Sequence, residues 1–257
     1  MYQIDAFSQK VFKGNPASIC PLKEWLEDEI MQKIANENNL SETAFFVKEN
    51  DKFHIRWFTP TVEVDLCGHA TLASAYVIFE YLNYQENEII FNSKSGILKV
   101  RKINDKYQMD FPVQKLEKCK IPNEIIEALG RIPKDCYKAM DYLVVFEDEK
   151  DVIEANPNFE ILKKLDSKIR GIIITSKSKR YDFVNRFFAP NAGINEDPVT
   201  GSAFTQLIPY WSKVFKKDEL IAKQVSLRGG EVFCKLKDER VEISGYAVKY
   251  FYGQIEL

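Results

Sequence analysis

The sequence RWFTPTVEVDLCGHATLASA, residues 56–75, contains a strand signal and a helix signal separated by a proline loop. Aromatic and apolar residues favour a β-strand over His54–Phe58. The many alanine and serine residues that follow predict a helix over His69–Tyr81, and their small size indicates a closely packed, central position. This succession of strand, loop and helix is the unit from which the fold can be worked out.

The same unit occurs a second time in the chain. Arg56–Pro60 matches Arg186–Pro190, and the offset is 186 − 56 = 130 residues, close to half the length. Continued without a gap, the alignment places Cys67 opposite Asp197. The agreement in the order of elements indicates an internal duplication.

The duplication predicts an α+β fold with two similar halves, 1–115 and 116–257. Each half is expected to be a mixed, barrel-like β-sheet wrapped round a central α-helix. The hydrophobic pattern predicts further elements. They include helices over Leu26–Asn38 and Gly201–Val214 and strands over Thr43–Val47 and 224–227.

Composition excludes several classes of function. The 257 residues carry 36 Lys and Arg against 38 Asp and Glu, so no excess of positive charge suggests a nucleic-acid partner. No apolar run reaches the length of a membrane span and no export signal is present, so we expect a cytoplasmic protein. Five cysteines and two histidines lack zinc spacing, and no nucleotide-binding glycine motif occurs, so neither a metal nor a cofactor is expected.

A glycine precedes the predicted central helix in each half. Gly68 and Gly201 would let the backbone approach a ligand, and the free amides of a helix start favour an anion such as a carboxylate. Thr200 and Ser202 flank the second glycine. Their hydroxyls are expected either to cap the helix or to contact the ligand.

Four side chains near these glycines are candidates for chemistry. His69 is either a hydrogen-bonded structural residue or a ligand contact, and Cys67 is either a small buried residue or an acid/base. Asp197 is either a turn residue or a partner of Cys67 across a cleft. Glu42 has no acidic counterpart in the second half. At the mouth of a buried strand its pKa is expected to be raised, which suits a proton shuttle.

Five segments together resemble the PhzF family, the phenazine-biosynthesis-like proteins of the diaminopimelate-epimerase-like fold. They are DAFSQKVFKGNPASIC, NNLSETAFFV, RWFTPTVEVDLCGHATLASA, NRFFAPNAGINEDPVTGSAFTQLIPYW and LRGGEVFCKL, which follow one another over nearly the whole chain. The resemblance implies a cofactor-free isomerase that forms a homodimer. It also implies an active site in the cleft between the two halves.

The resemblance also implies roles for individual residues. The glutamate of the SET motif, which moves the proton, falls on Glu42. The substrate-binding histidine, aspartate and serine of the family fall on His69, Asp197 and Ser202. The backbone amides at Gly68 and Gly201 would also contact the substrate, which is expected to be small and carboxylated. The related epimerases use one cysteine from each half, whereas this chain has Cys67 and no thiol in the matching second motif.

Three functions remain open on the sequence alone. The first is an isomerase that shifts a proton through Glu42, on a substrate that the sequence does not name. The second is an epimerase or racemase that uses Cys67 with Asp197 or Glu42. The third is a homologue that binds a small molecule without catalysis.

Overall fold

The computed structural model describes residues 1–166 and 168–257, which form two compact units. The first unit consists of Met1–Asp110 and Ser244–Leu257, and the second of Phe111–Ile243. The sequence prediction differs at the C-terminus, because it assigned the last residues to the second half. Their strand pairs antiparallel with the first strand of the chain, and these backbone hydrogen bonds hold the segment in the first unit.

The first unit is built mainly from strands. Its elements in chain order are β1 (Tyr2–Ala6), β2 (Asn15–Leu22), α1 (Asp28–Asn38), β3 (Glu42–Glu49), β4 (Lys52–Phe58), β5 (Glu63–Val64), α2 (Gly68–Tyr81), β6 (Glu88–Ser93), β7 (Gly96–Ile103), β8 (Lys106–Pro112) and, after the second unit, β18 (Ala247–Tyr252). The strands pair in the order β18-β1-β2-β3-β4-β6-β7-β8. The pairs β2–β3 and β4–β6 are parallel, so the sheet is mixed.

Helix α2 lies inside this sheet. It contacts β18, β1, β2, β3 and β7, strands from both ends of the pairing order, so the sheet wraps round it. Because its residues are small, the strands can pack closely round the helix. The hydroxyl groups among them donate hydrogen bonds to backbone carbonyls one turn earlier. Thr71 donates to the carbonyl of Cys67 at 2.6 Å, and Ser74 to that of Ala70 at 2.8 Å. The predicted central helix is therefore confirmed in this unit.

Helix α1 covers the other face of the sheet. Met31, Ile34 and Ala35 on the helix pack with Phe45 and Phe58 on the strands. Because β3 is covered on both faces, its apolar residues run continuously instead of alternating with polar ones. The predicted strand Thr43–Val47 lies within β3.

The second unit repeats the topology of the first. Its elements are β9 (Glu117–Lys118), α3 (Asn123–Leu129), β10 (Asp135–Lys138), β11 (Tyr142–Val145), α4 (Glu149–Ile153), α5 (Phe159–Leu162), β12 (Ile172–Lys177), β13 (Phe183–Ala189), β14 (Ile194–Asp197), α6 (Phe204–Phe215), β15 (Glu219–Gln224), β16 (Gly230–Lys237) and β17 (Arg240–Gly245). The pairs β11–β12 and β13–β15 are parallel, as are β2–β3 and β4–β6 at the same places in the first unit. Two 3₁₀ turns, Pro190–Ala192 and Gly201–Ala203, precede α6.

Two details of the second unit differ from the sequence prediction. The predicted strand 224–227 is wrong, because β15 ends at Gln224 and Ser226 then closes a turn by accepting a hydrogen bond from the amide of Gly229 at 3.0 Å. Helices α3, α4 and α5 were not predicted, since they span only 7, 5 and 4 residues and carry little periodic signal. Among residues 1–166 and 168–257, no helix combines the length and the apolar character that crossing a membrane requires.

An ion pair is repeated in the two units. Arg56 binds Glu63 through two parallel hydrogen bonds of 2.8 and 2.9 Å, and Arg186 binds Glu196 in the same way at 2.7 and 2.9 Å. The arginines are 186 − 56 = 130 residues apart, but the glutamates are 196 − 63 = 133 apart. The second unit therefore has three more residues between its arginine and its glutamate, where the 3₁₀ turn Pro190–Ala192 lies.

The gapless alignment of Cys67 with Asp197 is consequently wrong. The helical segments begin at Gly68 and Gly201, which are 133 residues apart. Cys67 and Thr200 are the residues that precede them, so Thr200 is the positional counterpart of Cys67. By the same offset Ser202 is the counterpart of His69.

Candidate active site

Glu42 and His69 form a close, largely buried pair in the first unit. Glu42 is the first residue of β3, just after the left-handed Asn39 that ends α1, and His69 is the second residue of α2. Oε2 of Glu42 lies 3.2 Å from Nε2 of His69, and their side chains are 14% and 6% exposed. A carboxylate and an imidazole that are both shielded from water provide the groups that proton transfer needs.

The other edge of the imidazole faces Asn15 and Cys67. The side-chain amide of the fully buried Asn15 donates to Nδ1 of His69 at 3.2 Å. Sγ of Cys67 lies 3.5 Å from the same nitrogen. Because Nδ1 accepts from the amide, the ring proton is placed on Nε2, which faces Glu42.

Burial keeps this imidazole uncharged. Loss of solvation lowers the pKa of His69 from 6.5 to about 3, and a hydrogen bond with the backbone of Pro16 acts in the opposite direction. At neutral pH the ring is therefore a neutral hydrogen-bond donor through Nε2, not a cation and not a base.

A glycine turn brings Asn15 to the histidine. Gly14 has a φ of +69°, and a Cβ there would lie 2.0 Å from the carbonyl oxygen of Ala6. Only glycine fits this backbone conformation and this close approach. The turn lets Asn15 pair with Ala6 at the start of β2, which places its amide beside α2. The sequence alone assigns Asn15 no role.

The three reactive side chains of the first unit also form a geometric cluster. Ligand atoms of Glu42, Cys67 and His69 all lie within 4.8 Å of one another. However, Glu42 approaches Nε2 of the ring and Cys67 approaches Nδ1, and these two nitrogens project from different edges of the imidazole. In this structure the carboxylate and the thiol therefore contact different nitrogens of one ring.

In the second unit, Asp197 ends β14 and belongs to a hydrogen-bonded loop. The hydroxyl of Thr200 donates to Oδ2 of Asp197 at 2.5 Å, and the side-chain amide of Gln224 donates to its carbonyl at 2.7 Å. Gln224 also accepts from the amide of Thr200 at 2.9 Å. These bonds fix the loop between β14 and Gly201 in one conformation.

Ser202 is held by a charged network that sequence reasoning missed. Arg170 donates to Oγ of Ser202 at 2.8 Å and binds both carboxylate oxygens of Asp141 at 3.0 and 2.6 Å. Neither Cys67 nor Thr200 caps its helical segment with a side-chain hydrogen bond. Of the two expected roles for the hydroxyls, capping is therefore wrong for Thr200.

The structure thus groups the predicted residues in two sets. Glu42, Cys67 and His69 meet beside Gly68 in the first unit. Asp197, Gly201 and Ser202 lie in a single segment before α6 in the second unit. The residues that sequence reasoning missed hold members of these sets in place: Asn15, Asp141 and Arg170.

The chain forms two similar units, and each has a mixed sheet and a buried helical segment that begins at a glycine. These features define a protein of the diaminopimelate-epimerase-like fold. A solved structure of a predicted epimerase from Pseudomonas aeruginosa matches with a TM-score of 0.79, over 99% of this chain and 98% of that chain. The identity is 18%, so this likeness concerns the fold alone.

Closer relatives identify the family. The model of the phenazine biosynthesis-like proteins, PhzC-PhzF, matches residues 4–253. An uncharacterized isomerase of Pseudomonas aeruginosa is 49% identical over 100% of this chain and 98% of its own length. The crystal structure of a PhzF family protein from Enterococcus faecalis has a TM-score of 0.98 and 47% identity, over 100% of this chain and 98% of that one. The chain belongs to the PhzF family, and relatives that are named isomerases support an isomerase role.

Proposed function

We propose that this protein is a cofactor-independent isomerase that shifts a proton on a small, carboxylate-bearing substrate, with Glu42 as the acid/base. The observation that carries the proposal is the distance of 3.2 Å between Oε2 of Glu42 and Nε2 of His69, both largely buried. Membership of a family whose relatives are named isomerases supports the reaction class.

The state of His69 decides which of the two residues is the base. An imidazole with a pKa of about 3 does not accept a proton at neutral pH. A carboxylate can take a proton from one carbon of the substrate and return it to another, and it acts without a cofactor. Glu42 is therefore the shuttle, and the Nε2–H group of His69 orients Glu42 or a polar group of the substrate. A positioned base of this kind contributes roughly 10²–10⁴-fold in rate.

Binding of the substrate is assigned to the two helix starts. The backbone amides at Gly68 and Gly201 are suited to a carboxylate, because the first amides of a helix have no acceptor within it. Asp197, whose carboxylate is oriented by Thr200, is suited to a hydroxyl or amine of the substrate. That one substrate meets residues of both halves stays a prediction of the sequence, as do the homodimer and the cytoplasmic location.

Exchange with heavy water tests the proposal. Small carboxylates and amino acids that raise the melting temperature would be incubated with the protein in deuterium oxide and followed by NMR. We expect the wild-type protein to introduce deuterium into a hit and Glu42→Gln to lose at least about 99% of this rate. Glu37→Gln is the matched control, because Glu37 is exposed on α1. Equal exchange by wild type and Glu42→Gln would refute the role of Glu42.

An epimerase that uses the thiol is the second candidate. The observation in its favour is the distance of 3.5 Å between Sγ of Cys67 and Nδ1 of His69. It predicts that Cys67→Ser abolishes exchange and that deuterium enters at a stereocentre whose configuration is inverted. Retention of exchange in Cys67→Ser would eliminate it. Stabilisation by ligands without any exchange would instead favour a binding protein.

A further inference from the structure

A buried carboxylate organises the start of the central helix in the second unit. Asp141 has no exposed surface, and its charge is met by Arg170 through two hydrogen bonds of 3.0 and 2.6 Å. Gln206 on α6 adds a third hydrogen bond at 2.9 Å. A buried carboxylate needs such complete compensation, and here it fixes the plane of the guanidinium group.

Arg170 has one nitrogen left after binding Asp141, and that nitrogen donates to Oγ of Ser202 at 2.8 Å. The guanidinium also lies over the ring of Phe187, 5.0 Å from its centroid. About a third of the arginine side chain, 35%, is nevertheless exposed. The positive charge is therefore anchored on one side and accessible on the other.

The hydrogen bond from Arg170 fixes how Ser202 can meet a ligand. Arg170 can only donate, so it occupies a lone pair of Oγ and orients the hydroxyl proton away from itself. Next to a guanidinium, a ligand atom that accepts this proton is favoured when it is negative. A substrate ammonium is disfavoured at this position for the same reason.

The repeat places this network where the first unit has its acid/base pair. Ser202 is the counterpart of His69 at the offset of 133. Glu42 begins β3, and Arg170 lies two residues before Ile172, which begins β12 in the same parallel arrangement. The corresponding strand thus begins with a carboxylate in one unit and is preceded, two residues upstream, by a guanidinium in the other.

We propose that Arg170, held by Asp141 and Gln206, is a positioning residue that fixes Ser202 as a hydrogen-bond donor and makes this helix start selective for a carboxylate. The identification of the ligand as the substrate's carboxylate rests on the proposed function. The alternative is that the arginine serves only to neutralise Asp141. The two roles separate in Arg170→Lys, since a lysine can neutralise Asp141 but lacks the planar fork that binds Asp141 and Ser202 together.

Benzoate and its neutral analogue benzamide are the probes that test this role, by titration calorimetry on the whole chain. We expect wild type to bind benzoate more tightly than benzamide. Arg170→Lys and Ser202→Ala should each weaken benzoate about tenfold or more and leave benzamide within about twofold. Arg131→Lys is the matched control, because Arg131 pairs with Asp151 in the same unit at 2.6 Å.

Two results would overturn the inference. One is a wild-type protein that shows no preference for benzoate over benzamide. The other is an Arg170→Lys protein that keeps that preference. The proposed function is tested separately, by deuterium exchange in wild type and Glu42→Gln. If benzoate selectivity depends on Arg170 while no carboxylate undergoes exchange, the inference stands and the proposed isomerase fails. If exchange depends on Glu42 while Arg170→Lys behaves as wild type, the inference alone fails.

Discussion

The neutral state of His69 leads to a prediction about stability and pH. Its pKa is lowered from 6.5 to about 3 in the folded protein. At a pH between these two values the unfolded chain binds a proton at this position and the folded chain does not. The free energy of unfolding therefore rises with pH in this window, and the contribution is lost as pH falls below about 6.5. For a shift of this size, lowering the pH from 7 to 5 costs about 2 kcal/mol from His69 alone.

Urea unfolding at pH 7, 6 and 5 measures this loss. Other groups titrate as well, so the comparison is between wild type and His69→Gln, which should lose about 2 kcal/mol less over the same range. The chain has two histidines, and His54→Gln is the control, since that side chain is 36% exposed.

A direct titration guards against a His69→Gln protein that fails to fold. In His54→Gln the one remaining imidazole belongs to His69, and its ¹⁵N resonances should stay those of a neutral ring with the proton on Nε2 down to pH 5. A midpoint near pH 6.5 would contradict the lowered pKa of His69. It would show that the imidazole is not desolvated, and His69 would then be as able as Glu42 to act as the base.

Three further predictions concern the groups around the site and a thiol pair. In urea unfolding, Gly14→Ala should lower the free energy of unfolding by roughly 3 kcal/mol or more. Gly96 also has a positive φ but has open space around it, so Gly96→Ala should cost only roughly 1–2 kcal/mol. Equal losses would contradict the clash of a side chain at position 14 with Ala6. Asn15→Ala removes the donor to Nδ1 of the histidine, so its ¹⁵N spectrum should show both neutral tautomers, and an unchanged spectrum would argue against that hydrogen bond. The sulfurs of Cys119 and Cys136 are 3.5 Å apart, so the oxidant diamide should take two electrons and two protons from these thiols and leave a disulfide bond between them. The number of free thiols should then fall from five to three, and a fall of two in Cys119→Ser as well would contradict this.

The sequence predicts the architecture because the signals of the fold are local. The small residues of α2 and the apolar run of β3 each indicate their own burial. The repeated Arg-aromatic-Phe motif then shows that the arrangement occurs twice. The motif residues Glu42, Cys67 and His69 meet in the structure, since each lies at the end of an element whose position the fold determines.

The residues that position the site could not be found in this way. Asp141 and Arg170 are 29 residues apart, and neither belongs to a periodic pattern. They meet because β11 and β12 pair in parallel, which puts the residues before both strands at one end of the sheet. The alignment of Cys67 with Asp197 was wrong for a similar reason. The second unit has three more residues before its helical segment, where the 3₁₀ turn Pro190–Ala192 lies, and a gapless comparison of the two segments does not show them.

Deuterium exchange by wild type and Glu42→Gln tests most directly whether Glu42 moves the proton. The assay needs a carboxylate that raises the melting temperature of both proteins, so that binding is shown to be equal before exchange is compared. We expect wild type to incorporate deuterium into this ligand and Glu42→Gln to bind it without incorporation. Incorporation at the same rate by both proteins would contradict the assignment of Glu42 as the group that moves the proton.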